Sequence, residues 1–303
     1  MRKYLLLLLV LALSFTTAFA ADESTIIIKT SKPVGTTVSL DAYTASKDEA
    51  FTVDWGDGEE KTYNVDPNGW GYSRRINTEI KGGTITIKGK LVNFDLTEAG
   101  ITSVDLHGQT AMKVINLEKN EIATFKQDGM PALTELDLRD NKLTTFSGTG
   151  MTSLNTLNLR GNQLDSYEFD ITDASATLTE LNVSDNGDKF INLNLIPFTA
   201  LEYFYCDDNP EFTTAVFADN NENIEKISMN NCHVMHFYSR SFPNLTSLNL
   251  SNNALFELEE GNYPKLSTLS IDHNYLTTLD VTKFPTLENL YCGNNNSSFG
   301  FRL

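Results

Sequence analysis

The sequence predicts a β-rich solenoid of stacked coils preceded by a small antiparallel β-sandwich. Three observations support this prediction. A pattern of apolar residues recurs about every 21 residues from residue 91 onward, the spacing inside each repeat fits one short strand, and residues 21–90 follow a different pattern of strands and turns. With 40% hydrophobic residues in a chain of 303, the protein can bury a core of this size.

Each repeat has an apolar residue, a second three positions later, a third two positions after that, and a ladder position three further on. Leu133, Leu136, Leu138 and Asn141 show the pattern. The ladder positions are Asn120, Asn141, Asn162, Asn186, Asn209, Cys232, Asn253, Asn274 and Asn295. They lie 21 residues apart except in three central coils of 24, 23 and 23 residues. These positions define nine coils, and Leu91, Phe94 and Leu96 predict a degenerate first coil without the asparagine.

The spacing predicts where each side chain points. Alternate side chains of a strand face opposite sides, so Leu136 and Leu138 enter the core while Asp137 faces outward on a parallel, concave sheet. The chain turns directly after this strand and leaves backbone N–H and C=O groups inside. The amide of the ladder asparagine has donors and an acceptor for those groups.

A second pair of apolar residues, two and five positions after the ladder residue, predicts the far wall of the core. Examples are Leu143 with Phe146 and Leu164 with Tyr167. A coil of 21 residues leaves no room for a full helix on this convex side. We therefore expect turns or brief extended segments there.

Residues 21–90 predict strands around Ile26–Ile28, Val38–Leu40, Phe51–Val53 and Thr84–Ile87, divided by Gly, Pro and Asn. We expect this domain to cap the first coil, which otherwise would expose its apolar end. Asp54, Asp57 and Glu59 suggest a calcium site, yet their spacing lacks the alternating oxygen ligands of a calcium loop. A structural hairpin with its tight turn at Asp57-Gly58 is the favoured interpretation, and no metal site is predicted.

The first 20 residues predict a cleaved signal peptide. Arg2 and Lys3 precede the apolar run from Tyr4 to Leu13, and Ala18-Phe19-Ala20 is a small-x-small cleavage signal. The alternative, an N-terminal anchor, needs about 20 apolar residues to span a bilayer. We therefore expect an exported protein, secreted or at the cell surface, that does not insert into the membrane after cleavage.

Charge and motifs exclude several classes of function. The chain has 40 acidic and 23 basic residues, a net charge of −17 that repels phosphate backbones and argues against nucleic-acid binding. Cys206, Cys232 and Cys292 fall at inward positions that are offset for bridging, so they are predicted to be buried thiols. No catalytic, zinc or phosphate-binding motif is present, and we predict no enzymatic activity and no cofactor.

These coils resemble a known family. Coils such as "LTSLNLSNNALFELEEGNYPK", with the variants "YCDDN" and "YCGNN", look like the 21-residue leucine-rich repeats of secreted Bacteroidetes surface proteins and, more distantly, of internalins. The stretch "VDWGDGEE", residues 53–60, resembles the WGDG turn of polycystic-kidney-disease (PKD)-type β-sandwich domains in the immunoglobulin-like class. The first resemblance implies adhesion and protein binding at a cell surface.

The candidate ligand-binding residues are those that flank the core leucines on the concave face. They are Arg139, Arg160, Tyr203, Tyr205, Asp207, Lys226 and Tyr291. Tyrosine and arginine often anchor protein interfaces, so a protein on a host or neighbouring cell is the expected partner. Tyrosines among Asn, Asp and Ser also suit a glycan, and a spacer without a soluble ligand is a third alternative.

Overall fold

The computed structural model describes residues 24–66, 72–238, 241–258 and 261–302. Across them the chain forms the predicted β-rich solenoid, whose short parallel strands stack into a concave wall. The predicted signal peptide, residues 1–20, lies outside the described residues. Within the described ranges, no helix is long and apolar enough to cross a lipid bilayer.

The concave wall takes one three-residue strand from each coil. The middle residue, such as Leu157, is buried, and its two neighbours face outward, as alternation along a strand requires. The strands are β7 (Asn93–Asp95), β9 (Val114–Asn116), β11 (Glu135–Asp137), β13 (Thr156–Asn158), β15 (Glu180–Asn182), β17 (Tyr203–Tyr205), β19 (Lys226–Ser228), β20 (Ser247–Asn249), β21 (Thr268–Ser270) and β23 (Asn289–Tyr291). β7 is the strand of the degenerate first coil, and the other nine strands belong to the nine coils with a ladder residue. The described part of the chain therefore contains ten coils, which confirms the predicted solenoid.

Neighbouring strands of the concave wall keep the register of the repeat. Leu136 pairs with Ile115 on one side and Leu157 on the other. The same register holds across the longer coils, where Leu181 pairs with Leu157 and Phe204. The extra residues of the 23- and 24-residue coils therefore lie outside the concave wall.

The convex wall has only short extended segments and single turns. Its strands are β10 (Thr124–Gln127), β12 (Phe146–Ser147), β14 (Phe169–Asp170), β16 (Asn192–Asn194), β18 (Thr214–Val216), β22 (Thr278–Asp280) and β24 (Gly300–Arg302), and its 3-10 helices are Ser166–Glu168, Thr172–Ala174 and Val281–Lys283. No full helix occurs among the described residues of this wall, as the length of the coil predicts.

The inward position of the 24-residue coil differs from the prediction. Tyr167 does not line the core, because its side chain is 79% exposed in the 3-10 helix Ser166–Glu168. Phe169 takes the inward position instead and pairs with Phe146 of the preceding coil. This coil is three residues longer than the 21-residue coils, and the additional residues form the 3-10 helix Ser166–Glu168. The helix shifts the inward position by two residues, from Tyr167 to Phe169.

The N-terminal strands continue both walls of the solenoid. They are β1 (Thr25–Thr30), β2 (Thr37–Tyr43), β3 (Ala50–Asp54), β4 (Glu60–Asn64), β5 (Ser73–Glu79) and β6 (Thr84–Lys88), and β1 pairs with β8 (Ile101–His107) of the first coil. The concave sheet extends from β7 through antiparallel β2 to β5, and the other sheet has the order β10-β8-β1-β6-β3-β4. One hydrophobic core runs through these strands and the coils. A separate immunoglobulin-like or PKD-like domain ending at residue 90 stays a prediction.

A buried glutamine joins the N-terminal strands to the first coils. Gln109 is 2% exposed, its Oε1 accepts a hydrogen bond from the backbone N–H of Leu91 at 3.3 Å, and its Nε2 donates to the carbonyl of Gly89 at 2.9 Å. Buried backbone groups need such partners. Gln109 therefore provides hydrogen-bond partners for the backbone groups of Gly89 and Leu91, where the chain passes from β6 into the first coil.

The WGDG stretch forms a turn with structural contacts. The carboxylate of Asp54 accepts hydrogen bonds from the backbone N–H groups of Gly56 at 2.8 Å and Gly58 at 3.0 Å. Gly56 has a φ of 107°, and a Cβ atom there would lie 2.5 Å from the backbone of Gly82. Trp55 is buried, and its Nε1 donates to the Tyr63 hydroxyl at 3.1 Å. These contacts favour a structural role for the motif.

Candidate binding surface on the concave sheet

Ladder asparagines hold the concave strands in place. The Nδ2 of Asn162 donates to the carbonyls of Leu138, Leu159 and Arg160 at 3.0, 2.9 and 3.4 Å, and its Oδ1 accepts from the N–H of Leu143 at 3.0 Å. Each of the others also donates to one carbonyl of the preceding coil and two of its own; they are Asn120, Asn141, Asn186, Asn209, Asn253, Asn274 and Asn295. Each amide therefore links its own turn to the coil before it.

Cys232 occupies the ladder position of one longer coil. Its Sγ donates to the carbonyl of Cys206 in the preceding coil at 3.1 Å. Both are free thiols, and burial raises the pKa of the Cys206 thiol well above its ordinary value. Cys206 is buried as predicted, and its protonated thiol packs as a small hydrophobic group. Cys232 and Cys292 are only half-buried, which differs from the prediction.

Two tyrosines and a lysine form a cluster near the middle of the concave sheet. Tyr203 and Tyr205 are the outward residues of β17, and Lys226 is the first outward residue of β19. The Lys226 Nζ lies 5.1 Å from the centroid of the Tyr205 ring, within the range of a cation–π contact. We refer to Tyr203, Tyr205 and Lys226 as the tyrosine–lysine cluster.

Neighbouring carboxylates raise the pKa of both tyrosines, and one of them accepts a hydrogen bond from Tyr203. The Tyr203 hydroxyl donates to Glu225 Oε2 at 3.0 Å, and this hydrogen bond raises the pKa of Tyr203. Burial raises the pKa of Tyr205, and the charges of Glu180 and Asp207 add to the effect. Both rings are therefore uncharged near neutral pH and keep apolar faces. The repeat pattern did not single out Glu225, because it directly precedes the strand.

Asp207 is hydrogen-bonded to the coils on both sides of it. Its Oδ1 accepts from the Ser228 hydroxyl at 2.6 Å and from the N–H of Asn230 at 2.7 Å, both in the next coil. Its own N–H donates to the Ser184 hydroxyl at 3.0 Å in the preceding coil. Asp207 therefore joins three coils beside the tyrosine–lysine cluster.

The two arginines predicted as a pair have different surroundings. Arg139 is bound by the carboxylate of Glu118 and lies 3.4 Å from Asp137 Oδ2. Arg160, on the next coil, is exposed, and its guanidinium has no carboxylate within 4.0 Å among the described residues. Among the described residues, the charge of Arg160 is therefore not neutralised by a carboxylate, whereas that of Arg139 is.

Tyr291 lies apart from the tyrosine–lysine cluster. It is exposed at the end of β23, and β20 and β21 separate this strand from β19. The structure therefore brings together Tyr203, Tyr205, Lys226 and Asp207, and leaves Tyr291 at the far end of the sheet.

Two aspartates on the concave face are partly desolvated. Burial raises the pKa of Asp137, and the charges of Glu118 and Glu135 raise it further against the opposing effect of Arg139. Burial likewise raises the pKa of Asp95. A folded-state pKa above the unfolded value gives stability that is present at low pH and lost as the pH rises through the folded value.

Asp137→Asn is therefore expected to raise the free energy of unfolding at pH 7 and to leave it unchanged below about pH 3.9, the ordinary aspartate value. Asparagine preserves the local geometry, since Asn158 at the same position of the next coil accepts the N–H of Arg160 just as Asp137 accepts that of Arg139. Urea melts across this pH range measure the effect. The matched variant Asn158→Asp should lose stability at pH 7, and a destabilised Asp137→Asn at that pH would contradict the prediction.

Comparison with known proteins identifies the repeat. Residues 122–164 match a family profile described as "Leucine rich repeat", and residues 174–187 match a second profile of the same description. No curated protein matches the chain.

Solved structures of low sequence identity are similar to this chain. The LRIM1/APL1C complex is 19% identical over 66% of this chain and 39% of that chain, with a TM-score of 0.53. The functional domain of InlJ from Listeria monocytogenes, which includes a cysteine ladder, is 17% identical over 72% and 66%, with a TM-score of 0.49. The APL1 leucine-rich repeat domain is 20% identical over 63% and 45%, with a TM-score of 0.42. This chain thus spans 39% to 66% of the length of those chains.

The ten coils, the amide ladder and the family matches point to one fold. Solenoids of this type commonly mediate protein–protein interaction, and they are typically scaffolds and not enzymes. The chain folds as a solenoid of the leucine-rich-repeat type, and two of its segments match leucine-rich-repeat profiles.

Proposed function

We propose that this protein binds a protein partner along its concave sheet, with the tyrosine–lysine cluster at the centre of the interface and Arg160, two coils before Tyr203, as a further contact. The observation that carries the proposal is the cluster itself. Tyr203 and Tyr205 stand side by side on β17, and Lys226 lies over the Tyr205 ring on β19. Their neighbours on adjacent strands are small or polar, such as Asn182 and Ser247.

The surroundings of the cluster suit a protein interface. Such interfaces concentrate their binding energy in a few Tyr, Trp and Arg side chains and surround them with a polar rim. Glu225 holds Tyr203 through a hydrogen bond, and Lys226 packs over Tyr205. Side chains that are already held lose little conformational entropy when a partner binds, which favours affinity.

Photo-crosslinking tests this proposal and captures the partner. A photoreactive phenylalanine analogue replaces Tyr203, and the protein is exposed to surface proteins of host or neighbouring cells. We expect a covalent adduct at this position. The matched control carries the analogue at Tyr167, which is more exposed but lies on the convex wall. Equal crosslinking from both positions, or none from position 203, would refute a concave binding site.

We also propose that the protein is exported and acts in adhesion, either secreted or at the cell surface. Support comes from the charged start at Arg2 and Lys3, the apolar run that follows and the cleavage signal Ala18-Phe19-Ala20. The mass of the protein recovered from its source cells should correspond to a chain that begins at Ala21. A recovered chain that retains residues 1–20 would rule out cleavage.

A further inference from the structure

Acidic side chains gather around the tyrosine–lysine cluster. In the coils of β15, β17 and β19, the concave strands and the turns that follow them are residues 179–185, 202–208 and 225–231. These three stretches contain one basic residue, Lys226, and six acidic ones. The six are Glu180, Asp185, Glu202, Asp207, Asp208 and Glu225. We refer to these six residues as the acidic surround.

The acidic surround is a local feature and not only a share of the acidity of the whole chain. The corresponding stretches on either side, residues 155–161 and 246–252, contain no acidic residue, although the chain has a net charge of −17. Their strands, β13 and β20, pair with β15 and β19 in the same register. A coil therefore folds without carboxylates at these positions, and folding does not explain why they concentrate beside the tyrosines.

The carboxylates of the acidic surround lie close to both tyrosine rings. Glu180 and Tyr203 are paired in register on β15 and β17, and the Tyr203 hydroxyl donates to Glu225 Oε2 at 3.0 Å. This hydrogen bond raises the pKa of Tyr203, and the charge of Glu202 adds to the effect. Burial raises the pKa of Tyr205, and the charge of Glu180 adds to it. Aromatic faces and negative charges therefore share one surface.

These charges are not compensated by the basic side chains around them. Within the part of the chain that the structure describes, no basic group lies within 4.0 Å of the carboxylates of Glu180, Glu202 or Glu225. Lys226 packs over the Tyr205 ring instead, with its Nζ 5.1 Å from the ring centroid. This contact is itself a cation on a tyrosine face, so the rings of the cluster suit a positively charged group.

We infer that the segment of the partner that lies on the tyrosine–lysine cluster is basic and places an arginine against Tyr203 and the carboxylates of Glu180 and Glu202. This inference rests on the proposed function and names the chemistry of the partner. A guanidinium is planar, so it stacks on an aromatic ring, and it donates several N–H groups in a geometry that matches carboxylates.

Other kinds of segment fit this surface less well. A neutral segment would remove water from Glu180 and Glu202 without providing a positive charge, and a desolvated carboxylate without a partner costs free energy. An acidic segment would be repelled, because like charges that meet across an interface oppose binding. Charge complementarity therefore favours a basic segment over both.

The peptide captured by photo-crosslinking from position 203 tests this inference. The protein with the photoreactive analogue is exposed to surface proteins of host or neighbouring cells, and the adduct is digested with chymotrypsin and sequenced by mass spectrometry. We expect the partner peptide to contain arginine and to carry a net positive charge. The yield of adduct should fall roughly tenfold when NaCl is raised from about 50 mM to about 500 mM, because salt screens exposed charges.

Two matched double variants, each made in the protein that carries the analogue, separate the acidic surround from the total charge of the chain. Glu180→Gln/Glu202→Gln should lower the yield of adduct roughly tenfold, since it removes the carboxylates that receive the arginine. Asp188→Asn/Glu211→Gln removes two exposed carboxylates from the same two coils, beyond their ladder residues, and should leave the yield unchanged. Thermal melts of both variants should match the wild type.

The outcomes distinguish this inference from the proposed function. The absence of any adduct from position 203 would refute protein binding at the cluster and the inference with it. An adduct whose partner peptide is neutral or acidic would leave protein binding in place and overturn the inference. A yield that is unchanged in Glu180→Gln/Glu202→Gln, or that falls equally in Asp188→Asn/Glu211→Gln, would overturn it as well.

Discussion

Asn162→Ala is expected to lower the free energy of unfolding by roughly 3 kcal/mol, the upper end of the cost of leaving a buried hydrogen-bonding group unpaired. Asn162 is buried, and its amide is the partner of the N–H of Leu143 and of the carbonyls of Leu138 and Leu159. Alanine forms hydrogen bonds with none of these groups. Because they are buried, water does not easily replace the missing amide. Urea denaturation of the full chain measures the loss.

Asn295→Ala is the matched control at the last coil. Asn295 makes the same pattern of hydrogen bonds, but it is only half-buried. Water can replace part of its amide there, so the loss should be clearly smaller than at Asn162. Equal losses at the two positions, or no loss at Asn162, would contradict the role given to the ladder.

A chain that begins at residue 91 is expected to lose cooperative folding. The missing strands pair with β7 and β8, so their removal leaves unpaired edges on both walls. It also uncovers Leu91, Phe94 and Val104, which are buried in the full chain. An open apolar end of a repeat stack favours aggregation. Circular dichroism melts and light scattering of the shortened protein measure this outcome.

A truncation at the opposite end is the control for this experiment. Residues 296–302 are exposed or half-buried, and a chain that ends at Asn295 should keep a cooperative melt. If the chain from residue 91 melts cooperatively at the wild-type temperature, the N-terminal strands are not a required cap.

The sequence predicted the solenoid well because one physical constraint repeats in every coil. A buried leucine must alternate with an outward residue, and the turn that follows must find partners for its backbone groups. Longer coils weaken this constraint on the convex side, where extra residues can form a turn. The spacing of the 21-residue coils predicts a buried Tyr167. The extra residues of the longer coil form a turn that exposes Tyr167, and Phe169 takes the inward position. The continuation of both walls into the N-terminal strands depends on long-range pairing, which no local pattern reveals.

The binding surface was less predictable than the fold. Register placed Arg139 and Arg160 on neighbouring coils, but only the structure shows that Glu118 neutralises Arg139. The contact of Lys226 with Tyr205 likewise depends on rotamers that the sequence does not determine.

The affinity of the crosslinked partner for alanine variants of the concave sheet tests the proposed function most directly. Isothermal titration compares the wild type with Tyr203→Ala/Tyr205→Ala/Lys226→Ala, and with Tyr167→Ala on the convex wall as the control. We predict a loss of roughly a hundredfold in the triple variant, as for the removal of interface hot spots, with an unchanged melting temperature and an unchanged affinity of the control. An undiminished affinity of the triple variant would contradict binding through the tyrosine–lysine cluster.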